Sequence, residues 1–346
     1  MFYWLTILRT ESFRKKPFGT LGRAVQWLTC HVWPEKYARI SLPVGQTEFI
    51  LDLPPRARRY GSTGIFVQRS FYEPLLQYCD RFIGEGDVVF DCGASQGIYS
   101  CAFAALAGPT GRVVAIEPQA YAVAALRHNL SINGFENVWV EEAAASDREG
   151  TATLDSSGGG VAASIVRDLG GTQTASVRTI TLAGLAERLK LARLDLIKFD
   201  VAGAEYLSLL GAGDLLTQFS PCLIIEDSSR DPNWSRVPEY LIKRGYHAYI
   251  FGQDGEIQPI NDADQDHPDL VIFLKASSIH DERDRCIATL DRHGRPSGFL
   301  RFARCRFLPS ASTLGLDHRA WLKNRMAAKT QSPNSTTQLT FSCDCP

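Results

Sequence analysis

The sequence predicts an α/β fold with a doubly wound, mostly parallel sheet. Short apolar segments alternate with helical segments between residues 88 and 275, a pattern typical of strands joined by crossover helices. Several apolar segments, such as VVF, LIIE and VIFL, have no polar face, as expected of strands covered by helices on both sides. A turn containing two glycines follows the first of them, in VVFDCGASQGIYS at residues 88–100.

The chain divides into three predicted parts. Residues 1–70 form an N-terminal accessory segment, in which AVQWLTCHVW is typical of a short helix and ISLPVGQTEFILDLPP of a hairpin. The α/β domain is predicted at residues 71–276, beginning with helical spacing of apolar residues in FYEPLLQYCDRFI. Residues 277–346 form a C-terminal extension, and their polar composition predicts disorder over the last ~20 residues.

The alternation gives each element of the central domain a place. Strands are predicted at residues 88–91, 112–118, 138–145, 194–200, 221–227 and 269–275. Helices are predicted at residues 98–108, 120–134, 181–191, 204–213 and 237–246. An irregular stretch is expected before residue 181, and its glycine-rich loop is either a flexible surface excursion or a mobile cover over a site.

Charge and cysteine content limit the partners and the compartment. The formal net charge is −1, so no whole-protein field favours nucleic acid or a membrane. Residues 1–60 nevertheless carry ten Lys/Arg against four Asp/Glu, and residues 280–346 carry eleven against six. These basic ends are either solvated surface or a docking region for an anionic partner. The nine scattered cysteines favour a reducing, cytoplasmic setting.

The N-terminal sequence MFYWLTIL is apolar but too short to span a bilayer. Its positive charges follow the apolar run, whereas a secretory signal carries them before it. We therefore expect no membrane span. Peripheral contact through Phe2, Tyr3, Trp4 and the basic cluster that follows is the alternative.

Acidic residues end several predicted strands: Asp91, Glu117, Asp200 and Glu226. In an open parallel sheet, ligands bind beyond the carboxyl ends of the strands, where the strand order reverses. The architecture would bring these four side chains to one rim. They therefore indicate a ligand site at this edge.

The glycine turn discriminates between two classes of nucleotide cofactor. A dinucleotide fold needs a glycine where this chain has Ser95, which disfavours an NAD(P)-dependent oxidoreductase but leaves it as an alternative. S-adenosyl-L-methionine has a cationic sulfonium and no phosphate, so surrounding acids favour it. Asp91 would hold its ammonium side and Glu117 its ribose hydroxyls. The remaining predicted cofactor-binding residues are Gly93, Ala94, Ser95, Gly97 and Pro118.

Four stretches of the sequence resemble the FkbM family of S-adenosylmethionine-dependent methyltransferases: DCGASQGIYS, AIEP, NLSINGFENVWVEEAAASDREG and LDLIKFDVAGAE. The resemblance runs from about Tyr72 to about Glu226. It implies a class I methyltransferase domain, with a Rossmann-like sheet of seven strands whose last strand is antiparallel. It also implies transfer of a methyl group to a hydroxyl of a small-molecule or glycan acceptor, such as a sugar or a secondary metabolite.

The chain departs from the family pattern at two positions. Ser95 stands where the family often has Asn, and Ala202 replaces the middle acid of the fourth-strand motif. Loss of that acid raises the alternative of a catalytically impaired, methyltransferase-like binding or scaffold protein. For an active enzyme, Asp200 is the first candidate for the base or for orienting the acceptor, and Glu205 is the second. No spacing in the sequence demands a metal.

Overall fold

The computed structural model describes residues 7–32, 38–53, 62–156, 163–165, 173–226, 233–251, 257–259 and 270–275. The predicted C-terminal extension, for whose end disorder was predicted, lies outside these residues, as does most of the glycine-rich loop. Among the described residues, no helix combines the length and apolar character needed to cross a membrane.

The described residues of the N-terminal part form three helices and one hairpin. The helices are α1 (Glu11–Lys15), α2 (Pro17–Val32) and α3 (Ser62–Gln68), and the strands are β1 (Ala38–Val44) and β2 (Thr47–Leu53). The predicted hairpin is confirmed, with Val44 opposite Thr47. Two 3-10 helices follow, at Arg69–Phe71 and Pro74–Arg81, where the sequence predicted ordinary helical spacing.

The first half of the central domain alternates strands and helices. It comprises β3 (Val88–Cys92), α4 (Ile98–Ala107), β4 (Arg112–Ile116), α5 (Ala120–Asn133), β5 (Val138–Glu141), β6 (Ala144–Ala145), β7 (Gly150–Asp155) and β8 (Thr174–Ile180). The predicted third strand is therefore divided in two. The stretch expected to be irregular was interpreted wrongly, because β7 and β8 pair antiparallel and β6 joins β8 in a small sheet.

The second half completes the large sheet. It comprises α6 (Leu182–Arg188), β9 (Leu196–Phe199), α7 (Glu205–Ala212), α8 (Leu215–Gln218), β10 (Cys222–Glu226), α9 (Arg236–Ile242), β11 (Tyr246–Phe251), β12 (Ile257–Pro259) and β13 (Leu270–Lys275). The sequence analysis missed β11, whose YHAYIF carries a histidine and directly follows a glycine turn.

The large sheet has the order β12-β11-β13-β10-β9-β3-β4-β5. Five neighbouring strands, β5, β4, β3, β9 and β10, run parallel, and β13 enters antiparallel between β10 and β11. The predicted fold is confirmed: a mostly parallel sheet of seven strands with its last strand antiparallel, to which β12 adds a short edge. The chain order reverses between β3 and β9, so the carboxyl ends of these strands frame a crevice.

The hairpin is attached to the central domain through helix α5. Asn129 accepts a hydrogen bond from the Asp52 N–H at 2.8 Å, and Asn133 both accepts from and donates to the backbone of Ile50. The buried Asp52 carboxylate also contacts Arg39 and His128. The N-terminal segment is therefore docked on the domain by polar contacts as well as by packing.

Candidate functional site

The turn at residues 93–97 connects β3 to α4. Gly93 has φ 85° and Gly97 has φ 93°, in the region that favours glycine. A Cβ atom on Gly93 would lie 1.9 Å from the carbonyl oxygen of Asp200, and one on Gly97 would lie 2.5 Å from Leu126. Both glycines are therefore required by the packing of the protein itself, and Gly93 fixes the turn against the end of β9.

Glu117 lies just after β4 and holds the turn from the other side. One of its carboxylate oxygens accepts from the Ser95 N–H at 2.8 Å, and the other from the Gln119 N–H at 2.9 Å. The side chain is buried, and burial raises the pKa of Glu117 to about 7 against the opposing effect of these hydrogen bonds. Each oxygen retains a second lone pair for a ligand hydroxyl.

Asp91 is fully buried on β3. Its Oδ2 accepts from the Ser100 hydroxyl at 2.6 Å, whereas Oδ1 has no hydrogen-bond partner within the described part of the chain. The ammonium of Lys198 lies 3.9 Å from Oδ1. Burial raises the pKa of Asp91, and Lys198 and Ser100 oppose that rise. An unsatisfied buried carboxylate oxygen is suited to a further donor or cation.

Lys198 is a buried charge on β9, one of the central strands. Its Nζ lies 3.1 Å from Oδ2 of Asp200 and 4.5 Å from the ring centroid of Tyr99. Burial alone would lower the pKa of Lys198, but the carboxylates of Asp200, Asp91 and Glu73 together raise it above the usual value. Lys198 therefore remains charged and joins the ends of β3 and β9.

Two more carboxylates face this lysine. The Tyr99 hydroxyl donates to Glu73 at 3.0 Å, and burial, reinforced by the charge of Asp200, raises the pKa of Glu73 to about 7. A hydrogen bond with Asp200 raises the pKa of Glu226 to about 9. Within this pair, Glu226 is therefore the member whose pKa the contact raises.

Glu205 has a structural position at the start of α7. Its buried carboxylate accepts from the Gly203 N–H at 3.1 Å and from the Val201 N–H at 3.2 Å. These bonds hold the tight loop after Asp200, in which Ala202 has φ 51° and Gly203 φ 106°. They account for the burial of Glu205, the second predicted candidate for the base.

The structure brings the predicted residues into two adjoining groups. Glu117 lies against the turn that contains Gly93, Ala94, Ser95 and Gly97, and Asp91 and Asp200 share Lys198. The sequence analysis did not single out Lys198, Ser100, Tyr99 or Glu73 as site residues. Lys198 could have been predicted from the sequence, because a lysine inside an otherwise apolar strand must be paired with an acid when it is buried.

Comparison with known proteins shows what part of the chain is similar to. Residues 91–248 match the model of the methyltransferase FkbM domain. No curated protein matches the chain. The chain is similar to the solved structure of an FkbM methyltransferase from Methylobacillus flagellatus KT, with 14% identity, a TM-score of 0.39 and coverage of 63% of this chain. It spans 56% of that protein's length.

The chain is also similar to two other solved structures, with identities and TM-scores in the same range. One is Aeropyrum pernix fibrillarin in complex with natively bound S-adenosyl-L-methionine, with 12% identity, a TM-score of 0.34 and coverage of 56% of this chain and 68% of that one. The other is the O-methyltransferase TomG from Streptomyces achromogenes, with 15% identity, a TM-score of 0.32 and coverage of 54% and 72%. The resemblance drawn from sequence motifs is confirmed by the family model, which matches residues 91–248 of this chain.

Proposed function

We propose that the domain binds S-adenosyl-L-methionine at the turn of residues 93–97 and transfers its methyl group to a hydroxyl of a sugar, glycan or secondary metabolite. The observation that carries the proposal is the position of Glu117. Its buried carboxylate is held against the turn by two backbone N–H groups, beside the point where the strand order reverses. A two-oxygen acceptor at this place suits the vicinal hydroxyls of a ribose.

The residues present fit a cationic nucleoside. The unsatisfied Oδ1 of Asp91 supports a role toward the ammonium side of the cofactor. The backbone of Gly93, Ala94, Ser95 and Gly97 would follow its contour, with Pro118 continuing the turn beyond Glu117. When bound, S-adenosyl-L-methionine supplies a methyl group already activated by its sulfonium.

A dinucleotide is disfavoured by the same contacts. The Ser95 N–H, which stands where a dinucleotide fold presents open backbone to a pyrophosphate, donates instead to Glu117. This contact argues against the NAD(P)-dependent oxidoreductase.

Asp200 is the proposed group that accepts or orients the proton of the acceptor hydroxyl. Its side chain is 37% exposed, so an acceptor can reach it, and the ammonium of Lys198 lies 3.1 Å from its Oδ2. The hydrogen bond with Asp200 raises the pKa of Glu226, and Lys198 contacts Asp200, so Asp200 is the member of the pair to which we give the role of base. Lys198 contacts Asp200 from the buried side and acts as a positioning residue.

The experiment that tests the proposal is transfer of a labelled methyl group from S-adenosyl-L-methionine to a panel of sugar and phenolic hydroxyls. The account predicts transfer by the natural chain and a loss of about 10²-fold or more in Asp200→Asn, because proton transfer to a positioned base contributes that much. Calorimetric affinity for the cofactor should change little in this variant.

The second candidate function, a scaffold that has lost catalysis, is favoured by Ala202, which lies two residues after Asp200 in the loop held by Glu205. Cofactor binding without transfer to any acceptor would support it, above all if Ala202→Glu restored transfer. Because Ala202 already has positive φ, the replacement adds little backbone strain.

A further inference from the structure

Exposed apolar side chains are concentrated in the N-terminal segment. Seven large apolar residues are exposed in the described part of the chain, and four of them lie between residues 8 and 25. They are Leu8, Phe18, Leu21 and Val25, with exposed fractions of 46%, 89%, 44% and 62%. Clustering of this kind marks an interaction surface, whereas single exposed apolar residues are ordinary.

Three of the four form one stripe along helix α2. Phe18, Leu21 and Val25 are three and four residues apart, which places them on the same side of a helix. The glycine at position 22 has no atom within 4 Å of its notional Cβ, so it leaves the same side open. The outward side of α2 is thus apolar where a solvated helix would carry charge.

The opposite side of α2 packs on the protein and fixes the direction of the stripe. Thr20, Ala24 and Trp27 are buried, and the Trp27 ring lies 4.9 Å from that of Phe66 on α3. Arg23 reaches inward to the carbonyl of Val67 at 2.7 Å. The helix therefore cannot turn its apolar stripe inward without breaking this packing.

Basic residues accompany the stripe. Residues 7–32 contain five Lys/Arg and one acid, Glu11, which pairs with Lys15. Arg9, Arg14 and Lys16 are exposed, and none of them forms an ion pair with the described residues. Lys16 stands directly before the first residue of α2, so unpaired positive charge lies at the start of the stripe.

We propose that α2 docks on an anionic lipid bilayer, with Phe18, Leu21 and Val25 in the headgroup region and the basic residues before α2 on lipid phosphates. An interfacial helix needs this combination of an apolar stripe and flanking cations. The stripe offers no hydrogen-bonding side chain to specify a protein partner. A bilayer requires neither hydrogen bonds nor a complementary shape from it. The proposal is independent of the methyltransferase assignment.

The test is cosedimentation of the full chain with phosphatidylcholine vesicles, with and without phosphatidylserine. We expect binding to the anionic vesicles that weakens with added salt. The double variant Phe18→Ser, Val25→Ser should weaken binding about tenfold or more, and Arg14→Gln, Lys16→Gln should weaken it several-fold. The matched control is Leu210→Ser, which alters an exposed leucine on α7. Circular dichroism and thermal unfolding establish that each variant is folded.

Three results would overturn the proposal: no binding of the natural chain to either vesicle, binding that a folded Phe18→Ser, Val25→Ser variant retains, or equal loss in Leu210→Ser. A fourth contradicting result would come from analytical sedimentation of the chain without vesicles. If the chain does not bind vesicles but associates with itself, and the double variant abolishes that association, the stripe is a contact between copies of the chain.

Discussion

The ammonium of Lys198 lies between two carboxylates, 3.1 Å from Asp200 Oδ2 and 3.9 Å from Asp91 Oδ1. Asp91 is the next-to-last residue of β3, and Asp200 directly follows the neighbouring strand β9. One buried cation therefore joins the proposed cofactor side of the site to the proposed acceptor side. The first prediction concerns this lysine.

Replacement of Lys198 by Met should reduce methyl transfer and destabilise the fold. It leaves Asp91 buried without its cation, a loss that costs about 3 kcal/mol in comparable buried pairs. Urea unfolding should show a smaller deficit at low pH, where Asp91 is protonated. The control is Lys243→Met, which removes an exposed lysine paired only with Glu239. Equal small effects of the two replacements would contradict the role given to Lys198.

Gly93→Ala should cost about 3 kcal/mol or more of unfolding free energy, because its Cβ would lie 1.9 Å from the Asp200 carbonyl and its φ is 85°. Gly134→Ala is the matched control. Gly134 also has positive φ, at 67°, but its notional Cβ has no atom within 4 Å, so about 1 kcal/mol is expected. Similar costs for both would show that the close approach to Asp200 is not constraining.

Glu73→Gln should change how stability depends on pH. A carboxyl whose pKa is raised in the folded protein binds more protons when folded, so the unfolding free energy falls as pH rises between the unfolded and folded values. For Glu73 that window runs from 4.5 to about 7. Between pH 5 and pH 8, the unfolding free energy of Glu73→Gln should therefore rise by about 2 kcal/mol relative to that of the natural chain. This figure is reduced because the Glu73 side chain is partly exposed.

Glutamine retains an oxygen that accepts from the Tyr99 hydroxyl, so the Glu73 variant preserves that contact. Chemical unfolding at a series of pH values measures the effect, with the exposed Glu136→Gln as control. Parallel pH curves for Glu73→Gln and the natural chain would show that Glu73 titrates normally.

Cofactor affinity should rise between pH 6 and pH 8. Burial raises the pKa of Glu117 to about 7, and only its ionised form accepts hydrogen bonds at both oxygens from ribose hydroxyls. Binding at pH 6.5 should therefore release protons, seen as an observed enthalpy that depends on the buffer. An enthalpy independent of buffer would mean that Glu117 does not change protonation on binding.

Sequence patterns predicted the sheet because its strands are buried on both faces. β3 and β10 begin with unbroken apolar runs, at residues 88–90 and 222–225. The turn after β3 carries its glycines where packing on Asp200 and Leu126 requires them. β8 was missed because most of it is exposed on both faces. An exposed strand has no apolar period to detect.

The sequence predicted only part of the site, because some of its residues are placed by packing rather than by the pattern of strands. Residues at strand ends, such as Asp91 and Asp200, could be placed because parallel strands end at one edge. Glu73 could not, because its contact with Tyr99 depends on how the segment before β3 packs, which no periodicity describes. Glu205 was predicted as the second candidate for the base, and the structure adds that its side chain holds the neighbouring loop.

The most direct test of the central claim is calorimetric titration of the full chain at pH 8 with S-adenosyl-L-methionine and, separately, with NAD. The account predicts binding of S-adenosyl-L-methionine alone. Glu117→Gln should weaken it about 10- to 100-fold through lost hydrogen bonds, while the exposed Glu136→Gln should leave it unchanged. Binding of NAD, or full affinity for S-adenosyl-L-methionine in a folded Glu117→Gln variant, would contradict the account.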